Sequence, residues 1–421
     1  MDTQSPKTGC GGLIGFSGFF AVPLALVLLG AAGSAALEVQ GLTQLSLVDA
    51  DSQTSFINSG AGGLRYDEDG LHIQQALLEI RQDFGNAFSA EITANYYPDG
   101  DLHAGITQAL LKWKPLSQNT LRVRGRVGLF YPRMSAENVD VGWLSPYSYT
   151  PSAINSWLGE ELRIAGVEGT LFSSGRGRRS PWSWELNAAL YGGNDPLGSI
   201  IAWRGFATHD RQSLHHDRLQ FAPLPAVVEG EQIAGPDWVE PFHEIDNRAG
   251  GYLGFHLRHR SGLDFRVYRY DNNGNPNKLN SQRLYAWDTN FSSFALSSPV
   301  TENITFLAQW MGGRTEMGPA LVVANFESYY LMLSHRQGRN RFSARFDYWD
   351  VDEEDDFPED INDSEGRALT VSWRHDLTDR WQVGVEYVYN ESDVANRPTI
   401  DEPVSLNQRQ LMGVLQYRFG K

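Results

Sequence analysis

From residue 37 onward, hydrophobic and polar positions alternate along most of this chain. In the stretch Phe88–Tyr96, the side chains of Phe88, Ala90, Ile92, Ala94 and Tyr96 fall on one face. Ser89, Glu91, Thr93 and Asn95 fall on the other, which is the two-residue period of a half-apolar strand. Leu121–Leu129 repeats the pattern with Arg122, Arg124 and Arg126 opposite Leu121, Val123, Val127 and Leu129. Phe342–Tyr348, Leu369–Trp373, Trp381–Tyr389 and Leu411–Phe419 follow it too, with Tyr and Trp gathered near the segment ends. Sixteen strands are predicted, over 37–49, 71–84, 88–97, 105–114, 120–131, 160–172, 182–192, 250–260, 263–271, 283–296, 303–312, 324–336, 341–350, 366–376, 381–390 and 408–419.

The connections sort by length. After even-numbered strands they are short, at 85–87, 115–119, 173–181, 261–262, 297–302, 337–340 and 377–380. After odd-numbered strands they are mostly long, at 50–70, 98–104, 132–159, 193–249, 272–282, 313–323, 351–365 and 391–407. One pair departs from the rule, since 98–104 is shorter than 173–181. An even strand count with short turns at one end and long loops at the other predicts an all-β fold, a transmembrane antiparallel β-barrel with periplasmic turns and external loops. A secreted soluble all-β protein is the competing class, but a sandwich or propeller would not sort its connections in this way.

Composition narrows the field. The chain has 421 residues, 35 Lys+Arg against 51 Asp+Glu, and a net charge of −16, which argues against a general nucleic-acid binder. No run of 18 apolar residues follows position 37, so helices do not supply a membrane span there. Met1–Ala36 reads as a secretory signal peptide: Lys7, an uncharged run Leu13–Leu29, then small residues Gly33-Ser34-Ala35-Ala36 ahead of a cut before Leu37. A retained anchor helix is the alternative. Cys10 is the sole cysteine and precedes the apolar run, which argues against a lipoprotein and leaves 37–421 without disulfides. The expected plan is therefore a signal peptide over 1–36 and a barrel over 37–421.

The barrel region resembles the sixteen-stranded porins of Gram-negative bacteria, and loosely their phosphate-selective group. Strand number and sorted connections carry the resemblance, together with a last strand that sets Leu411, Gly413, Leu415, Tyr417 and Phe419 on one face. That strand is similar to the aromatic-ended strand read by outer-membrane assembly machinery, although Gly420 and Lys421 follow the aromatic here. In the porins, the loop after the fifth strand folds inward and narrows the lumen, a place held here by the constriction-loop candidate 132–159. The resemblance implies passive diffusion of small hydrophilic solutes, an outer-membrane location among lipid and lipopolysaccharide, and a homotrimer.

An arginine facing lipid near the midplane costs roughly 2–4 kcal/mol, so Arg122, Arg124 and Arg126 are expected to face the lumen. Guanidinium groups stay charged at any physiological pH, so such a ladder would favour anions in a narrow aqueous pore. Arg81 and Arg163 share faces with Glu79 and Glu161 and could extend it. Plain lumen lining with internal ion pairs is the alternative reading. Glu137 and Asp140, in the constriction-loop candidate, could set a transverse field against the basic wall, or could simply be solvated. Arg266, Asp264, Tyr268, Arg345 and Trp349 are further inward candidates, and no continuous aromatic path suggests sugars.

Other chemistry is sparse. Asp350 with loop 351–365 carries ten carboxylates in sixteen residues, read as a solvated external loop or as a cation bridge to anionic lipid. The long external loop 193–249 holds His209, His215, His216 and His243 near Asp210, Asp217 and Glu244, but their spacing fits no metal motif. No nucleophile elbow, zincin helix or phosphate-binding loop occurs. Neither enzyme chemistry nor a cofactor or metal is expected. The competing function is a barrel plugged by loop 193–249, acting as an adhesin or scaffold without conductance.

Overall fold

A computed structural model describes residues 37–358 and 360–420. The expected signal peptide lies outside them. Sixteen strands follow in chain order: β1 Leu37–Asp51, β2 Gly70–Phe84, β3 Phe88–Tyr96, β4 Ala104–Trp113, β5 Leu121–Phe130, β6 Ile164–Ser173, β7 Trp182–Gly192 and β8 Gly250–His259. The second half holds β9 Asp264–Asp271, β10 Asp288–Pro299, β11 Ile304–Met317, β12 Val322–Gln337, β13 Asn340–Glu353, β14 Ser364–Asp376, β15 Trp381–Val394 and β16 Ser405–Phe419. Each pairs antiparallel with its neighbours, and β1 closes the barrel on β16 from Gly41↔Phe419 to Asp51↔Arg409. Closure leaves no strand edge unpaired, as a bilayer core with no water requires. No described helix is long and apolar enough to cross a membrane.

Alternation decides which face goes where. On β12, Leu331 and Leu333 point outward and are exposed, while Tyr330 and Met332 are buried inside. Phe88, Trp113, Trp182, Phe342 and Trp381 are exposed around the short-turn end, forming an aromatic girdle at one edge of the apolar band. At the long-loop end the outward positions turn acidic: Glu327, Asp350, Glu365 and Asp393 stand side by side in register across β12–β15. This explains why β11, β13 and β15 run past their predicted ends. Backbone pairing continues above the apolar band, where alternation of apolar and polar residues no longer marks it. At the turn end, Gly338 takes φ 59° in the two-residue connection between β12 and β13, a conformation that suits glycine.

Two predicted elements shift. The strand expected over 160–172 is Ile164–Ser173, because 160 and 161 close a helix instead. The strand expected over 283–296 is Asp288–Pro299, which lengthens the preceding loop.

The lumen is crossed by two loop layers. The first, between β5 and β6, carries the helix α1, Ala153–Glu161, whose nine residues are all buried. Ser152 caps it, its Oγ accepting from Asn155 N at 3.3 Å. Trp157 of α1 meets Phe206, Phe291 and Phe326 with ring centroids 5.6–6.2 Å apart. These rings join inward Tyr252, Tyr268, Tyr270, Met311, Tyr330 and Trp349 in one apolar core against β8–β13. The second layer, between β7 and β8, carries the helix α2, Ser199–Arg204, and a small ladder pairing Leu219–Gln220 with Trp238–Val239. Ile200, Trp203, Phe221, Val227 and Ile233 give this layer its own core with Trp287 and Met317.

Candidate functional site

The arginines of β5 face the lumen. Arg126 is paired in register with Glu168 of β6, and its Nε and Nη2 reach the two carboxylate oxygens at 3.0 and 2.9 Å. Arg124 Nη2 reaches Glu185 of β7 at 2.5 Å. Arg122 lies 4.8 Å from the Phe172 ring centroid and has no ion pair among the described residues. Three arginines from elsewhere join them. Arg133, just past β5, approaches both Glu168 and Glu185 at 3.4 Å. Arg258 of β8 pairs with Glu185 at 2.9 Å, and Arg266 of β9 pairs with Asp264 at 2.8 Å. Five guanidinium groups therefore share three carboxylates, and Arg122 stands beside them without one among the described residues.

Arg126, Arg133, Arg258 and Arg266 line a chamber of about 300 Å³, faced from the other side by Glu79, Glu91 and Gln108. Its roof is the first loop layer, including Ser135, Asn138 and Trp143. A small solute there would pass between a guanidinium-rich wall and the carboxylates of Glu79 and Glu91.

The other sequence candidates separate. Arg81 is 45% exposed at the turn end of β2 and pairs with Asp83 at 3.1 Å, away from this chamber. Arg163 precedes β6 and is buried; Nη2 donates to Ser213 Oγ at 2.6 Å, and the guanidinium lies between the Tyr131 and Phe242 rings. It ties the two loop layers together. Glu137 is also buried: it pairs with Arg345 of β13 at 2.9 Å and accepts from Ser152 N at 3.0 Å. Its carboxylate anchors the loop to the far wall. Asp140 pairs with Arg418 of β16 at 2.8 Å and does border the chamber.

The first layer spans the whole lumen. Besides Glu137–Arg345, Tyr149 N and Thr150 N donate to Glu386 of β15, both at 2.6 Å. Arg374 of β14 donates to Ser145 O at 2.9 Å. Above it, the second layer is hydrogen-bonded to the β1–β2 loop through Thr208 N and Gly63 O at 3.1 Å. It reaches β4 through His215 N and Ile106 O at 2.9 Å, and the first layer through Gln212 Nε2 and Gly142 O at 3.0 Å. Residues 206–214 are buried throughout.

The histidines and acids of 193–249 are spread over different contacts. His209 Nε2 lies 3.2 Å from Glu160, Asp210 pairs with Arg65, and Asp217 with Arg211. Asp195, Glu244 and Asp246 approach one another, but Asp195 already accepts two backbone N–H bonds from Ile245 and Asp246.

Arg133, Arg258 and Glu185 are absent from the sequence candidates. Arg258 and Glu185 had a signal, since each alternates with exposed Leu253, Leu186 or Leu190 on its own strand. Arg133 sits in irregular chain, where periodicity says nothing.

No protein-family model and no curated protein sequence matches the chain. Solved structures do. A loop L8 deletion mutant of OmpT, an outer membrane protein of Vibrio cholerae, aligns at TM-score 0.54 and 7% identity over 92% of this chain and 100% of that one. The trimer form of in-vitro folded OmpT aligns at 0.52 and 8% identity over 92% and 100%. OmpF of Salmonella typhi, in complex with daunomycin, aligns at 0.53 and 10% identity over 91% and 97%. At these identities the likeness is one of fold. The closed sixteen-stranded antiparallel barrel expected from the resemblance to the bacterial porins is the architecture observed.

Proposed function

We propose that the chain is an outer-membrane porin that passes small hydrophilic solutes by diffusion, with a preference for anions. The observation that carries this reading is the arginine-rich wall beside the chamber under the first loop layer, where five arginines share three carboxylates and a sixth, Arg122, has none among the described residues. Arg122 contributes most directly, because no carboxylate neutralises it among the described residues. The exposed apolar band and its aromatic girdle support seating among outer-membrane lipid and lipopolysaccharide, after removal of residues 1–36. The OmpT trimer form and the porin resemblance support a homotrimer. The reading includes no catalytic role: buried Glu137 fastens a loop to the wall through Arg345, and Glu160 meets His209 between the two loop layers.

A second reading is favoured by the two buried loop layers, which together cross the lumen from β4 to β16. A barrel held shut in this way would serve as a surface adhesin or scaffold. Single-channel recording in a planar bilayer under a KCl gradient separates the two. A porin gives stepwise conductance with a reversal potential on the chloride side, and that preference shrinks in Arg122→Ala/Arg124→Ala/Arg126→Ala. A conducting barrel indifferent to those substitutions removes the anion assignment. Folded, heat-modifiable protein that stays silent favours the plugged scaffold.

A further inference from the structure

A second basic basin lies at the short-turn end of the opposite wall. Arg336, Arg339, Arg341, Arg374, Arg380 and Arg418 line a cavity of about 540 Å³, bordered by Asp140, Asp376 and Asp379. Its chemistry differs from that of the β5 wall, where every arginine but Arg122 reaches a carboxylate. Here Arg418 is paired with Asp140 at 2.8 Å, and Arg336 comes only to 3.8 Å from Asp376. Arg339, Arg341, Arg374 and Arg380 have no ion pair among the described residues.

The backbone register sharpens the contrast. Arg336 of β12 stands directly opposite Arg341 of β13, and Arg341 stands directly opposite Arg374 of β14. Like charges facing each other across strands destabilise a sheet, and three in one lateral row do so twice. The guanidiniums are nonetheless held in place by neutral acceptors. Arg341 Nη1 donates to Ser334 Oγ at 3.0 Å, and Arg374 Nε donates to Gln382 Oε1 at 2.8 Å. The rings of Tyr147 and Tyr149 lie 5.0 and 4.4 Å from these two guanidinium carbons. Such contacts fix direction without cancelling charge, so a repulsive row is preorganised with one loose ion pair, Arg336–Asp376 at 3.8 Å, among the described residues.

The geometry points to a binding site, at the inner mouth of the barrel, for a small organic anion carrying two or more carboxylate or phosphate groups. Cross-strand neighbours stand about 5 Å apart, a spacing that two linked anionic groups can bridge and a single halide cannot. Arg380, on the turn between β14 and β15, would close over such an anion from the rim. The site requires no conduction, so it stands whether the barrel is open or plugged.

The test is calorimetric titration of the folded protein in detergent with citrate and with pyrophosphate, at constant ionic strength, using acetate as the monovalent control. Saturable binding of citrate, pyrophosphate or both, without binding of acetate, is expected, and the stronger of the two identifies the anionic group preferred. Arg336→Gln/Arg341→Gln should weaken it by at least about tenfold, and Arg380→Gln, which removes no fold contact, should weaken it less. Heat-modifiability confirms that each variant is folded. Absence of saturable binding to the wild-type protein overturns the inference. So does binding that survives both variants but disappears in Arg122→Gln, which would move the anion to the β5 wall.

Discussion

Arg345 shows how much a single side chain can hold at the residue scale. Its Nε reaches Asp347 at 2.7 Å, Nη1 reaches Glu137 at 2.9 Å and Thr150 O at 2.8 Å, and Nη2 reaches Pro151 O at 2.8 Å. All three charged groups are fully buried. Removing the cation leaves two carboxylates without compensation, a loss of about 3–5 kcal/mol. Arg345→Ala should therefore lower the unfolding midpoint in detergent markedly. Arg345→Lys should rescue it only in part, because an ammonium lacks the planar fork that serves four acceptors. An unchanged midpoint would show that the anchor carries no load. Alternation revealed that Arg345 points inward, but its partner Glu137 lies 208 positions away and sits in a loop with no period. That is why the sequence offered Glu137 only as a field-setting or solvated loop carboxylate, whereas in the fold it stands as an anchor.

Strands were legible at the scale of elements because an apolar face turned to lipid enforces a strict two-residue period, and all sixteen were located by it. The helix α1 was not, although Ala153, Ile154, Trp157 and Leu158 carry helical spacing. A loop that folds inside a barrel is judged against strand neighbours, and its short period is easily absorbed by the next strand. The contact of α1 with the second layer should depend on pH in both directions. Burial pushes the Glu160 carboxyl up, but the charges of Arg204 and His209 outweigh it and leave it at about 2, against an ordinary 4.5. Its stabilisation is complete above pH 4.5 and is lost as pH falls toward 2. Glu161 is pushed up by burial to about 7, so its contribution is complete below 4.5 and is lost as pH rises through 7. Protease cleavage within 193–249 should thus be slowest near pH 4.5 and faster on either side. A monotonic profile would mean that other groups govern the contact.

For the whole molecule, sequence conveyed closure and marked 132–159 and 193–249 as the two longest connections, both of which enter the lumen. It could not convey that they meet the far wall, because those contacts depend on where the barrel brings β13–β16. Replacing 196–245 with a short Gly/Ser linker should raise single-channel conductance several-fold if the second layer obstructs the path. An unchanged conductance would place the path elsewhere. The same layers bear on how the chain reaches its final form. Tyr149 bonds to Glu386 across 237 positions and Ala153 to Asp347 across 194, so the plug touches strands made long after it. A seam between β1 and β16 that closes last would let loops and wall condense together. Contacts so distant along the chain reward ordering only after its entropy has been lost, so this barrel should mature slowly, waiting on its contents before it closes.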